Sequence, residues 1–160
     1  MTPAQAQALA DVRGEALTAD QVQRIEPLLD PNSRNDTAIA AILSEGRTKF
    51  SEIRRMEIGF VGAYPGGPAE GDAVLAKLET HAESAAPTAR IVARAMRAMC
   101  TEPGLNLGDP ALHAMLALLV PSPLSQAEAD AIVSMGRVPH PIATADVSRA
   151  LNIAEGRMVI

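Results

Sequence analysis

Apolar side chains recur along this chain at intervals of three and four. They come in short runs broken by proline, glycine and capping residues, and the pattern predicts a succession of short amphipathic helices. Thr2 before Pro3 is a cap plus a first-turn proline, opening an Ala/Gln-rich helix that runs toward Gly14. Thr18-Ala19-Asp20-Gln21 is a capping box, in which the hydroxyl takes an orphan N–H and Gln21 reaches back to the cap. Val22, Ile25 and Leu29 then share one face, and Pro27 limits that helix or begins a second short turn. After the loop 30–35, Asn35 or Asp36 caps a helix with Ile39, Ile42 and Leu43 on its face and Gly46 as its stop.

Residues 47–51 show no helical period and suit an extended conformation. Ser51 is placed to cap a helix carrying Ile53, Met56, Phe60 and Val61, although Gly59 and Gly62 weaken it. Tyr64-Pro65-Gly66-Gly67-Pro68 is the strongest loop signal. Val74, Leu75, Leu78 and Ala82 mark the next helix, and Pro87 starts another with Ile91, Val92, Ala95, Met96 and Met99, ended by Glu102-Pro103-Gly104. Asp109-Pro110 restarts a helix with Leu112, Met115, Leu116 and Leu119, closed by Pro121 and Pro123. Ser125-Gln126-Ala127-Glu128 is a second capping box, leading to Ile132 and Met135 with Gly136 as its stop. Val138-Pro139-His140-Pro141 reads as a rigid linker, and Thr144 as the cap of a last helix bearing Val147, Ala150 and Leu151. No β-hairpin signal and no repeat of fixed period is found. The expected fold is all-α, a compact bundle of about seven or eight short helices in one domain over residues 1–152. Residues 153–160 form an extended C-terminal tail, apolar enough to dock on a neighbour.

Composition narrows the function classes. The 160 residues suit one domain, and hydrophobic residues make up 48% against 21% charged, a globular balance. Aromatics are only 2%, so the core is built from Ala, Leu, Ile, Val and Met, whose small side chains gain from partner subunits. A net charge of −5 argues against free nucleic acid as main partner. Cys100 stands alone, without an intrachain disulfide or a thiolate metal site, and reads as a small buried hydrophobe. The first residues lack a basic stretch followed by an apolar one, and the longest apolar run, 114–120, falls short of the ~20 residues that span a bilayer. The expected site of synthesis is a cytoplasm.

Candidate chemistry is sparse. His81, His113 and His140 fall in separate segments without ligand spacing. Gly59-Phe60-Val61-Gly62 and Gly66-Gly67 form neither a dinucleotide fingerprint nor a phosphate loop, and no nucleophile elbow is present. Glu70 and Asp72 sit at a helix start, where they complement the dipole. The sequence therefore predicts no enzyme, no cofactor, no metal and no small-molecule ligand. Two basic clusters remain: Arg47, Lys49, Arg54 and Arg55 within a short interval, and Arg90, Arg94 and Arg97 at i, i+4 and i+7 on one helix face. They are either solvated faces paired with nearby carboxylates or a docking surface for an acidic partner or a sister subunit. With the tail residues Met158, Val159 and Ile160, they are the candidate protein-interface residues. Met56, Met96, Met99, Met115 and Met135 are expected to fill the core.

Two stretches carry a resemblance. One is Asp36-Thr37-Ala38-Ile39-Ala40-Ala41-Ile42-Leu43-Ser44-Glu45-Gly46-Arg47-Thr48. The other runs from Leu124-Ser125-Gln126-Ala127-Glu128-Ala129-Asp130-Ala131-Ile132 through Val138-Pro139 to Asp146-Val147-Ser148-Arg149-Ala150-Leu151. Their order resembles small helical proteins encoded among the virion genes of tailed bacteriophages, over less than half of the chain. The resemblance implies a non-enzymatic structural or assembly role in the virion, in the tail or its tip ahead of the head, with other virion proteins or copies of the chain as partners. The rival expectation is a cytoplasmic helical adaptor or regulator that binds one acidic protein through Arg90, Arg94 and Arg97.

Overall fold

The computed structural model describes residues 1–157, so the interface candidates Met158, Val159 and Ile160 lie outside the described residues. In chain order the elements are α1 (Pro3–Arg13), α2 (Ala19–Ile25) continued by a 3-10 turn (Glu26–Leu29), α3 (Asp36–Ser44), β1 (Thr48–Phe50), β2 (Arg54–Arg55) and α4 (Glu57–Ala63). They continue with α5 (Pro68–Ala82), α6 (Ala89–Cys100), β3 (Leu105–Asn106), α7 (Pro110–Ala117), α8 (Gln126–Ser134), β4 (Arg137–Pro139) and α9 (Thr144–Ala154).

The punctuation read from the sequence is present atom by atom at most helix starts. Thr18 Oγ1 accepts from the Gln21 N–H at 3.2 Å while Gln21 Oε1 accepts from the Thr18 N–H at 3.0 Å. Ser125 and Glu128 make the same reciprocal pair, and Asn35 rather than Asp36 caps α3, accepting from the Ala38 N–H at 3.0 Å. Thr144 is a correction. It is the first residue of α9, whose cap position is Ala143, and no side chain caps that helix.

The fold is mostly helical but not strictly all-α. β1 pairs with β4 and β2 with β3, the latter antiparallel with Arg54 opposite Asn106 and Arg55 opposite Leu105. Neither pairing is a hairpin, so no local turn signature announces it. Ser51 accordingly caps no helix: its backbone N–H donates to the Gly136 carbonyl at 3.0 Å, and α4 begins only at Glu57. Gly136 serves close approach. A Cβ there would lie 2.2 Å from the Leu107 carbonyl oxygen, and one on Gly108 would lie 1.8 Å from that of Ser51. Only residues without side chains let these backbone segments meet.

The chain divides into two compact units, one of Met1–Thr48 with the segment from Pro139 onward, the other of Lys49–Val138. A single domain over 1–152 contains no such division, and the expected tail boundary at 152 falls inside α9, which runs to Ala154. Helical periodicity marks which face of α9 is buried without saying what it is buried against. In the first unit that face, Val147 and Leu151, packs with Leu9, Ile25, Ile39 and Leu43, all fully buried. Each such side chain stabilises by about 1.5–3 kcal/mol. An ion cluster adds to this core: Arg34 reaches Asp36 at 2.8 Å, Glu155 at 3.1 Å and Asn152 Oδ1 at 2.8 Å.

The second unit has its own core, with Phe60 and Tyr64 against Val74, Leu78, Val92 and Leu112. Lys77 of α5 pairs with Glu128 of α8 at 2.5 Å. That ammonium and the Ser125 N–H hold the Glu128 carboxyl down at about 2. Burial pushes the Tyr64 phenol up, with the Glu128 and Glu70 charges adding to the effect.

Candidate protein-docking surface

α6 follows from its sequence directly. ARIVARAMRAMC places Ala89, Val92 and Met99 on one side, all buried, and Arg90, Arg94 and Arg97 on the other, all exposed. The helix contains no Asp or Glu, so no i, i+4 ion pair within it can form. None of the three guanidinium groups hydrogen-bonds or pairs with a described residue. Seven residues of rise set Arg90 and Arg97 about 10 Å apart along the axis, a short cationic ridge on a net acidic chain. Arg97 lies in the last helical turn, where the dipole favours a cation, but Arg90 lies in the first turn, where it does not.

The other basic cluster is divided between the two units. Arg47 belongs to the first unit, half-buried, and donates to the Val12 carbonyl at 3.3 Å, which ties it to local structure. Lys49, Arg54 and Arg55 belong to the second unit. Lys49 is exposed on β1, Arg54 is exposed and donates from Nε to Glu52 at 2.9 Å, and Arg55 is half-buried with Nε lacking a hydrogen-bond partner.

Two further positions depart from expectation. Cys100 is exposed rather than buried, because it closes the solvent side of the last turn of α6, with Sγ 3.7 Å from Glu57 Oε2 of α4. Met56 is not in the core either; it occupies the cap position of α4 and is 42% exposed. Ile58, which the apolar periodicity passed over, is 89% exposed. It lies two residues before the buried Phe60 and so points to the opposite side of the helix. A β-branched apolar residue on the side that Phe60 leaves to solvent is the signal that could have found it. Met56, Ile58, Val61, Met99 and Cys100 line an open cleft of about 570 Å³ together with the carboxylates Glu57 and Asp72.

The histidines are engaged locally. His81 Nε2 lies 2.5 Å from Thr88 Oγ1, and His113 Nε2 lies 2.8 Å from the Leu107 carbonyl oxygen, which makes that nitrogen the donor. The His113 ring also packs 4.5 Å from the Phe50 ring, over which the Arg137 guanidinium sits at 4.5 Å. The backbone N–H of His140 donates to the Arg47 carbonyl at 3.0 Å. Among the described residues, no group of three or more His, Cys, Asp or Glu is arranged to hold a metal ion, and no helix is long and apolar enough to cross a membrane. In comparisons with protein families, with curated proteins and with solved structures, nothing matches the chain.

Proposed function

We propose that this chain is a non-enzymatic assembly protein that works through protein–protein contacts, with the α6 ridge as its docking element for an acidic surface. The observation that carries the reading is the ridge itself: Arg90, Arg94 and Arg97 exposed together, without an ion pair to a described residue. Arginine in that state is available to make bidentate contacts with carboxylates, which fix register and orientation across an interface. The resemblance of residues 36–48 and 124–151 to small virion proteins of tailed phages supports a particle as the setting, in the tail or its tip, with other virion proteins or copies of the chain as partners. The ridge equally fits a cytoplasmic adaptor for one acidic protein, and one experiment separates the two. Mass spectrometry of purified particles from the source, with the oligomeric mass of the recombinant chain, should find the protein at a stoichiometric copy number. Absence from particles together with a stable monomer in solution would overturn the virion reading in favour of the adaptor.

A further inference from the structure

The exposed apolar side chains of α4 adjoin the ridge of α6. Cys100 lies one helical turn beyond Arg97 on the same side, and its thiol touches Glu57, which stands between Met56 and Ile58 in sequence. The Arg97 end of the cationic ridge therefore adjoins the cleft within the second unit. The chemistry of this surface is two-part. The α6 side presents three guanidinium groups without a carboxylate partner among the described residues. The α4 side presents Ile58, 89% exposed, and Met56, 42% exposed, beside the cleft.

We infer that this surface receives an acidic amphipathic helix, which sets an apolar side chain against Ile58 and Met56 while its carboxylates meet Arg94 and Arg97. The inference rests on the α6 docking reading and deepens it by naming the partner's form. Charge complementarity selects the occupant. The three arginines stand on the ridge beside the cleft and outnumber Glu57 and Asp72, the two carboxylates that line it, and carboxylates at i and i+3 or i+4 on a facing helix match the spacing of the guanidinium groups. A purely ionic partner would leave Ile58 in water, and a purely apolar one would desolvate the arginines without pairing them.

The test uses the full-length protein and two synthetic helical peptides. One carries a Leu stripe flanked by Glu; the other keeps the Glu residues and replaces Leu by Gln. Binding is read by fluorescence anisotropy, and occupancy of the surface by the alkylation rate of Cys100, the sole cysteine. Ile58→Gln is expected to weaken the Leu/Glu peptide about tenfold or more and to leave the charge-only peptide unchanged. Arg94→Glu should weaken both, and bound Leu/Glu peptide should slow Cys100 alkylation. Ile58 and Arg94 are both exposed, so both variants should keep the wild-type far-UV circular dichroism. If Arg94→Glu leaves both peptides unaffected, the docking reading of α6 fails and this inference with it. If Arg94→Glu weakens both while Ile58→Gln changes neither and Cys100 reacts at an unchanged rate, the two-part surface is overturned and the ridge stands. A dimer of the free protein that Ile58→Gln dissolves would make a second copy the occupant, which also overturns it.

Discussion

Replacing Arg34 by Met tests whether the ion cluster of the first unit stabilises the fold. Arg34 Nε lies 2.8 Å from Asp36 Oδ1, one terminal nitrogen lies 3.1 Å from Glu155 Oε2, and the other 2.8 Å from Asn152 Oδ1. The three charged side chains are 14%, 16% and 18% exposed, so water screens them only in part. Methionine keeps most of the apolar stem but removes the cation that Asp36 and Glu155 share, leaving Glu155 with Arg157 and Gln5, each at 3.0 Å, and Asp36 with the Ser148 hydroxyl. Breaking a fully buried pair costs about 3–5 kcal/mol, and partial exposure with the remaining partners of both carboxylates reduces this to roughly 1–2 kcal/mol. Arg34→Lys retains the charge without the planar fork and should cost about 1 kcal/mol. The assay is urea unfolding of the full chain followed by far-UV circular dichroism, since the sequence has no Trp. A double-mutant cycle with Glu155→Gln should show a coupling of at least ~0.5 kcal/mol. Arg34→Met within about 0.5 kcal/mol of wild type would refute the reasoning, because surface substitutions fall in that range.

Three other outcomes are expected. Gly136→Ala should destabilise by about 3 kcal/mol or more, because its Cβ would sit 2.2 Å from a backbone oxygen that cannot rotate away; a wild-type urea midpoint would contradict this. Gly62→Ala, where a Cβ meets nothing within 4 Å, should instead raise thermal stability by about 0.5–1 kcal/mol through helix propensity. Glu128, held at about 2 from an ordinary value of 4.5, contributes stability that is full above pH 4.5 and fades as pH falls through 2. Urea midpoints of wild type and Glu128→Gln should therefore differ at pH 7 and converge toward pH 2, and a gap independent of pH would rule the pairing out.

What the sequence made legible is what local chemistry decides. Thr18 with Gln21 and Ser125 with Glu128 close their boxes because cap and partner lie three residues apart, and α2 gives way to a 3-10 turn at Glu26 because Pro27 lacks the N–H that α2 would need. Arg90, Arg94 and Arg97 share a face for the same reason, their spacing being the helix's own. The failures are non-local. β2 finds β3 across half the second unit, joined by no turn that a sequence pattern records. Arg47 and Lys49 are two residues apart yet belong to different units, and Arg47 is tied to the Val12 carbonyl within the first of them. Residue type alone places Cys100 in the core, but an apolar residue's burial depends on which side of the helix its neighbours occupy. In α6 the position falls beside the arginines rather than with Val92 and Met99.

The α4–α6 edge violates several local rules at once, and this sets it apart from an ordinary solvated surface. Some exposed charges elsewhere find partners, Arg24 with both Asp20 and Glu45 and Lys77 with Glu128, while Lys49 and Arg149 are exposed singly among the described residues. On α6 three arginines stand in a row without one, and Arg90 occupies the first turn, where the macrodipole opposes it by about 0.3–1 kcal/mol. On α4 a β-branched Ile58 sits in water in a seven-residue helix that also contains Gly59 and Gly62, each less favourable than Ala by about 0.8–1 kcal/mol. Apart from Arg97, which the dipole favours in the last turn, these choices cost the isolated chain stability. A partner that buries Ile58 and pairs the arginines would turn the same residues from liabilities of the free protein into contributions to a complex, which is the relation between local inconsistency and function that foldable sequences generally show.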